Sequence, residues 1–243
     1  MNHRFFIPYV IFFLYSCSSL CGSSFTYALS DFSSGLDGWG GGADGEISTV
    51  GAVNAGDPYM RKEIDLDGGG GIKSRMVVRR PTDPAIVATD PWLGDYISKG
   101  IQRVELDFKN SSISDTVFLR LAISNVANPQ ITTGTWWVST TYYRLSPLGQ
   151  WEHVSFNITE SEMRSVGTVN SDIPGTDSFE ETLSNVRGFR FISNGNGYSA
   201  IGTEYSGAIG MDNIELIAIP EPSVTAAVLL VVTGVTVFLR RRI

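Results

Sequence analysis

Nine short runs of alternating or apolar residues, each closed by turn-forming residues, limit what this chain can fold into. They are EISTVGAV (46–53), YMRKEIDL (59–66), GIKSRMVVRR (71–80), QRVELDFKN (102–110), TVFLRLAIS (116–124), TWWVSTTYYRL (135–145), WEHVSFNIT (151–159), VRGFRFISN (186–194) and GAIGMDNIELIAI (207–219). Successive side chains of a strand point to opposite faces, so this period lays one face of each run on a core. Gly-Asp-Pro, the run Gly68 to Gly71, Asn-Pro, Pro-Gly and Asn-Gly-Asn-Gly lie between them and supply turn conformations. Only ESEMRS (160–165) and FEETLSN (179–185) have helical character, each a turn or two. The pattern predicts an all-β fold, an antiparallel β-sandwich over residues 29–219.

The two ends obey different rules. The start, MNHRFFIPYVIFFLYSCSSLCGSSFTYALS, has His3 and Arg4, then an apolar run from Phe5 to Leu14, then small polar residues. That is the layout of a secretory signal peptide. Thr26-Tyr27-Ala28 offers a cut after Ala28, giving a signal of residues 1–28; a cut near Gly22 is the alternative. Leu14-Tyr15-Ser16-Cys17 loosely resembles a lipoprotein cut site that would make Cys17 the lipidated first residue, although Tyr15 fits that pattern poorly. At the other end Val224 to Leu239 is uncharged. As a helix it would be roughly 24 Å long, a marginal transmembrane segment against a hydrocarbon core of about 30 Å. Arg240, Arg241 and Arg242 would stay on the cytoplasmic side and leave the body outside the membrane.

Pro220-Glu221-Pro222 cannot continue a strand or a helix, so it reads as an extended, accessible hinge before the apolar segment. Pro-Glu-Pro, a short apolar helix and a terminal arginine cluster, in that order over residues 220–243, resemble the PEP-CTERM sorting signal. The resemblance implies an exosortase as processing partner and cleavage near the motif. It further implies release or transfer to the cell surface, in organisms that often make exopolysaccharide.

The body between these ends carries 14 basic against 24 acidic residues, a net charge of −10. A nucleic-acid partner is disfavoured, whereas an acidic surface suits an exported protein and can hold divalent cations. Both cysteines, Cys17 and Cys21, lie in the signal region, so the body has no disulfide and must be held by packing, with a metal as a further support.

DFSSGLDGW (31–39), WLGDYISKGIQRVELDFK (92–109), QWEHVSFNI (150–158), TLSNVRGFRF (182–191) and IGMDNIEL (209–216) resemble successive strands of extracellular jelly-roll modules, in particular laminin-B-type domains and carbohydrate-binding modules. The resemblance implies a structural Ca²⁺ held by Asp212, with Asp31 as the nearest partner in the opening strand. A carboxylate joined by backbone carbonyls suits a hard cation that takes six to eight oxygens. The alternative is that Asp212 and Asn213 only shape a strand end, and no D-x-D-x-D loop decides between them.

Catalysis has little to stand on. The body has one histidine, His153, which reads as a surface or rim residue of a strand. No G-x-S-x-G, H-E-x-x-H or G-x-x-x-x-G-K-[ST] motif occurs. Glu180-Glu181 and Asp65/Asp67 could be imagined as the acid and base of a glycosidase, yet they fall where solvated loops or outward strand faces are expected. The expectation is a protein that is not an enzyme. Binding has more support, because aromatic faces stack on sugar rings. Trp136 and Trp137 are adjacent on one strand, as are Tyr142 and Tyr143, so one of each pair faces the core and the other faces away. Trp92, Tyr198 and Tyr205 are expected in loops where they would add a rim, while Trp39 and Trp151 are expected in the core. Asn110-Ser-Ser and Asn157-Ile-Thr match glycosylation acceptors and read as coincidence. The sequence therefore points to an exported surface or matrix protein whose sandwich binds polysaccharide. The alternative is a structural or adhesive surface protein without a glycan ligand.

Overall fold

Strands with one apolar face need a second layer to bury it, and the described residues answer with twelve strands in two sheets. The computed structural model describes residues 23–39, 45–48, 52, 56–64, 75–79, 89–126, 135–167, 173–200, 202–203 and 205–219. In chain order the strands are β1 (Phe25–Ser30), β2 (Gly45–Ser48), β3 (Tyr59–Ile64), β4 (Arg75–Arg79), β5 (Ile101–Asn110) and β6 (Val117–Ser124), followed by β7 (Trp136–Ser139), β8 (Tyr143–Leu145), β9 (Glu152–Asn157), β10 (Met163–Val166), β11 (Gly188–Ser193) and β12 (Gly207–Ala218). The first sheet runs β2-β3-β12-β5-β9, with β1 also on β12. The second runs β10-β7-β6-β11-β4, with β8 also on β6. The registers of both sheets are antiparallel. The protein is an antiparallel β-sandwich. Thr26–Ala218 forms one compact unit, and the ends form another, Met1–Phe25 with Ile219–Ile243, of which residues 23–25 and 219 are described.

The core lies between the sheets. Val104, Leu106 and Phe108 of β5 and Val154 and Phe156 of β9 face Leu119, Leu121 and Ile123 of β6 and Phe189 and Phe191 of β11. Trp39 sits among them, edge-on to Trp92 at 4.9 Å and to Phe189 at 5.5 Å, and its indole N–H donates to Ser30 Oγ at 3.0 Å. Asn110 ends β5 fully buried and serves two loops. Its Nδ2 donates to the carbonyls of Asp115 and Leu145, and its Oδ1 accepts from Ser112 N and the Tyr205 hydroxyl. Tyr205, expected on a rim, is thus a core residue.

Three elements differ from the sequence reading, and one helix agrees with it. The run 135–145 is two strands, because β7 pairs with β6 up to Val138↔Ala122 and β8 resumes only at Tyr143↔Leu119. Four β7–β8 residues therefore face two of β6, a bulge at Arg120. ESEMRS is a single 3₁₀ turn, Glu160–Glu162, followed by β10. FEETLSN does hold a helix, α1 (Phe179–Leu183), whose capping box joins the Ser178 hydroxyl to Glu181 N and the Glu181 carboxylate to Ser178 N. β1 was not expected at all: its Ala28 and Ser30 are buried, and the Thr26 hydroxyl donates to Glu215 of β12 at 2.7 Å. A cut after Ala28 would remove four of its six residues, whereas a cut near Gly22 leaves the strand whole.

Among the described residues no helix is long and apolar enough to cross a membrane. The segment 224–239, the motif Pro220, Glu221 and Pro222, the cluster Arg240, Arg241 and Arg242, the N-terminal run to Gly22 with both cysteines, and Asp65 and Asp67 lie outside the described residues.

Candidate functional site

The outer face of the second sheet is where strand alternation, an irregularity and a loop combine. On β6 the inward residues are Val117, Leu119, Leu121 and Ile123, so Phe118, Arg120 and Ala122 point away from the core. Register places Arg190 of β11 beside Ala122, Val138 of β7 on its other side, and Arg164 of β10 beside Val138. Residues 194–200 fold over part of this face. There Ala200 and half-buried Tyr198 pack with Trp136, Val138, Val166 and Ile192 in a second, smaller apolar cluster.

Arg120 organises the uncovered part. It is 3% exposed. Its Nε donates to Asn194 O at 2.7 Å, and its Nη1 donates to Ser139 O at 2.5 Å and Thr140 O at 2.7 Å, filling the bulge between β7 and β8. The guanidinium carbon is 4.9 Å from the ring centres of both Tyr142 and Tyr198, and Arg164 lies 4.6 Å from the Tyr198 ring on the rim. Tyr142 stands edge-on to Phe118 at 5.6 Å and keeps 42% of its surface in solvent. Burial lowers the Arg120 pKa from the ordinary guanidinium value, and the two tyrosines oppose that shift. All three acceptors are neutral carbonyls, and no carboxylate among the described residues pairs with Arg120, Arg144 or Arg164.

The expected aromatic platform is corrected by this geometry. Trp137 is the inward member of its pair, 8% exposed and edge-on to Phe179 at 5.0 Å. Trp136 does point away from the core, but it is 2% exposed beneath residues 194–200, with Arg190 4.1 Å from its ring. Tyr143 faces inward, its ring edge-on to Phe156 and its hydroxyl donating to Ser155 O at 2.7 Å. Trp92 is no rim residue: it is 2% exposed against Trp39 and Phe189 in the core. A ring with both faces packed has none to give a sugar, so of the five aromatics only Tyr142 remains available. Arg120 and Arg164 were missed; the available signal for Arg120 was an arginine on the outward parity of β6 with no acid in that strand, and Arg164 had none. Trp151, expected in the core, lies instead on the outer face of the first sheet. It stands edge-on to Tyr59 at 5.0 Å, over a position where Gly210 leaves room that a Cβ would fill at 2.9 Å.

The first sheet's outer face carries acid. Asp212 ends the straight part of β12 at a bulge where Asn213 adopts a positive φ of 48°. Its Oδ1 accepts from Asn213 N at 2.8 Å, and the Asn213 side chain donates to Asp107 Oδ2 at 2.9 Å. Burial pushes the Asp212 carboxyl up to about 6, with Asp107, Asp57 and Asp31 adding to the rise. Asp31 is held below the usual carboxylate range by the Ser33 hydroxyl and amide. The structure thus brings Asp31 into the electrostatic reach of Asp212. Among the described residues, however, no three His, Cys, Asp or Glu side chains come close enough together to hold a metal. A Ca²⁺ here would have to take its remaining ligands from backbone carbonyls. His153 is exposed, with Nδ1 3.1 Å from Asp107 Oδ1 and Nε2 3.8 Å from Glu105 Oε2. Glu181, one of the imagined glycosidase pair, is committed to the α1 cap.

No protein-family model matches the chain, and no curated protein matches it. Among solved structures it is similar to the carbohydrate-binding module CtCBM11, at 20% identity and a TM-score of 0.42 over 84% of this chain and 99% of that one. It is similar to TmCBM27, a module studied for specific mannan recognition, at 13% identity and a TM-score of 0.34 over 82% and 99%. An exo-β-agarase aligns at 11% identity and a TM-score of 0.39 over 73% of this chain and 22% of that one.

Proposed function

We propose that this is an exported surface or matrix protein whose sandwich binds polysaccharide, without catalysing its cleavage, on the outer face of the second sheet. One observation carries the reading: the exposed Tyr142 ring is held in place by a buried guanidinium that also holds Tyr198. A ring fixed before binding loses little rotamer freedom when a sugar stacks on it. The export signal, the PEP-CTERM tail with its exosortase partner, transient membrane anchoring through 224–239 and delivery to the cell surface belong to the same reading and rest on the sequence of the two ends. A Ca²⁺ at Asp212 belongs to it as a structural ion, supported by the unneutralised charge around that carboxylate.

The test is titration of the full chain with exopolysaccharide from the producing organism, wild type beside Tyr142→Ala. Saturable binding weakened by the substitution supports the reading, and flat titrations of folded protein reject it. A structural or adhesive role without a glycan is favoured by a different feature, the exposed Phe25, Tyr27 and Leu29 of β1, an apolar row suited to association.

A further inference from the structure

We infer that the polysaccharide bound on the second sheet is anionic, its carboxylate or sulfate groups read by Arg120 and Arg164; the inference rests on the glycan-binding reading above. Its basis is the one-signed charge of the second sheet's strands. In a chain with a net charge of −7, the strands of the second sheet contain Arg75, Arg79, Arg120, Arg144, Arg164 and Arg190 and no aspartate or glutamate. The strands of the first sheet are mixed, with Glu46, Glu63, Glu105, Asp107, Glu152, Asp212 and Glu215 beside Arg61, Lys62, Arg103 and Lys109.

The observation that matters is the second sheet's: its strands hold arginines with no acid among them. Buried cations are ordinarily paired, because a charge taken out of water without a counter-ion is costly. Arg120 breaks that pattern. Its Nε and Nη1 are occupied by three neutral carbonyls, and Nη2 finds no protein acceptor among the described residues. Nη2 belongs to a guanidinium flanked by Tyr142 and Tyr198, and Arg164 approaches the same Tyr198 ring at 4.6 Å. Two guanidiniums around one tyrosine, beside an exposed tyrosine, match a sugar ring that stacks while its acidic substituent bonds to N–H groups. Arginine forks suit planar carboxylates and sulfates better than a point charge does. A neutral glycan would leave the buried Arg120 guanidinium without an anionic partner.

The experiment measures affinity of the full chain, in mild detergent, for two matched pairs: polygalacturonate against its fully methyl-esterified form, and dextran sulfate against dextran. The charged member of at least one pair is expected to bind more tightly by about tenfold or more, with affinity falling as salt screens the contact. The pair that responds tells carboxylate from sulfate. Arg164→Gln is expected to weaken that binding roughly five- to tenfold, and Tyr142→Ala to weaken it similarly. Lys109→Gln, on the opposite sheet, should leave it unchanged. Arg164 sits on the rim, so its variant reports on the site even if Arg120 variants fail to fold. Equal binding of charged and uncharged members would overturn the anionic assignment while leaving glycan binding intact. Equal losses from Lys109→Gln and Arg164→Gln would overturn it by showing diffuse attraction. Binding to none of the four, nor to exopolysaccharide of the producing organism, would remove the underlying reading as well.

Discussion

The guanidinium carbon of Arg120 lies 4.9 Å from the centre of the Tyr142 ring, and the same side chain donates to the carbonyls of Ser139 and Thr140, the residues leading to that tyrosine. One buried side chain thus closes the irregularity between β7 and β8 and sets the orientation of the exposed ring beyond it. Bulges of this kind re-aim side chains, and they concentrate near functional sites.

Arg120→Met tests the structural half of that relationship. The substitution keeps most of the volume and leaves the carbonyls of Ser139, Thr140 and Asn194 without their donor. Each unsatisfied buried group costs roughly 1–3 kcal/mol, so a total loss of about 2–4 kcal/mol is expected after partial hydration. Urea denaturation measures it, and a change below about 0.5 kcal/mol, the level of an ordinary surface substitution, would mean that the guanidinium does not hold the bulge.

Trp136 and Tyr142 separate core from surface. Trp136→Ala empties a packed site under residues 194–200 and should cost about 3–5 kcal/mol. Tyr142→Ala should stay within about 1 kcal/mol of wild type, since nearly half of the ring is already in water. Paired thermal melts of the two variants check the contrast; equal destabilisation would show that Tyr142 is packed rather than presented.

Asp212 gives a pH prediction. Its folded-state carboxyl, at about 6, lies above the ordinary value of 3.8, so the folded protein binds this proton more tightly than the unfolded chain does. The stability it contributes is present below about pH 4 and is lost as pH rises through about 6. In chelator at pH 7.5, Asp212→Asn should therefore melt higher than wild type, by an amount that shrinks towards pH 4. Added Ca²⁺ should raise the wild-type melting temperature and leave the variant unmoved. A variant that melts lower than wild type in chelator would contradict the charge argument, and a wild type insensitive to Ca²⁺ would remove the ion.

β1 constrains the export processing proposed above. Ala28 and Ser30 are buried, Ser30 accepts from Trp39, and Thr26 bonds to Glu215. The proposed exported form is accordingly expected to begin before Phe25, and intact-mass measurement of secreted material reads this directly. A chain engineered to start at Leu29 should be less stable than one starting at Ser23, by melting in the same buffer. A secreted form beginning at Leu29 with undiminished stability would contradict the role given to β1.

Much of the architecture was legible because alternation is local. β5 reads as Val104, Leu106 and Phe108 inward against Arg103, Glu105 and Asp107 outward, and the chain obeys it. α1 was legible in the run FEETLSN, and its cap, Ser178 with Glu181, was found only in the structure. β1 was missed because its Phe25, Tyr27 and Leu29 continue the composition of the stretch read as a leader. The split of 135–145 was missed because it depends on Arg120 in another strand. The site was legible only as a parity argument. Alternation correctly put one member of each aromatic pair outside, yet it could not show that residues 194–200 return to cover Trp136 and leave Tyr142 open. Covering is a long-range event with no local signal. The acids around Asp212 were half visible: Asp31 was named, whereas Asp57 and Asp107 reach the carboxylate only through sheet pairing.

The central claim, that the outer face of the second sheet binds polysaccharide through a pre-fixed Tyr142, is met most directly by calorimetric titration of the full chain with exopolysaccharide from the producing organism. Wild type and Tyr142→Ala should be run beside Tyr27→Ala, an exposed tyrosine on the other sheet. Loss of a stacked aromatic is worth about 1–3 kcal/mol where bases stack on such rings, so a saturable wild-type isotherm weakened on the order of tenfold by Tyr142→Ala and unchanged by Tyr27→Ala is the expected result. Flat isotherms throughout, or equal affinity of wild type and Tyr142→Ala, would contradict it.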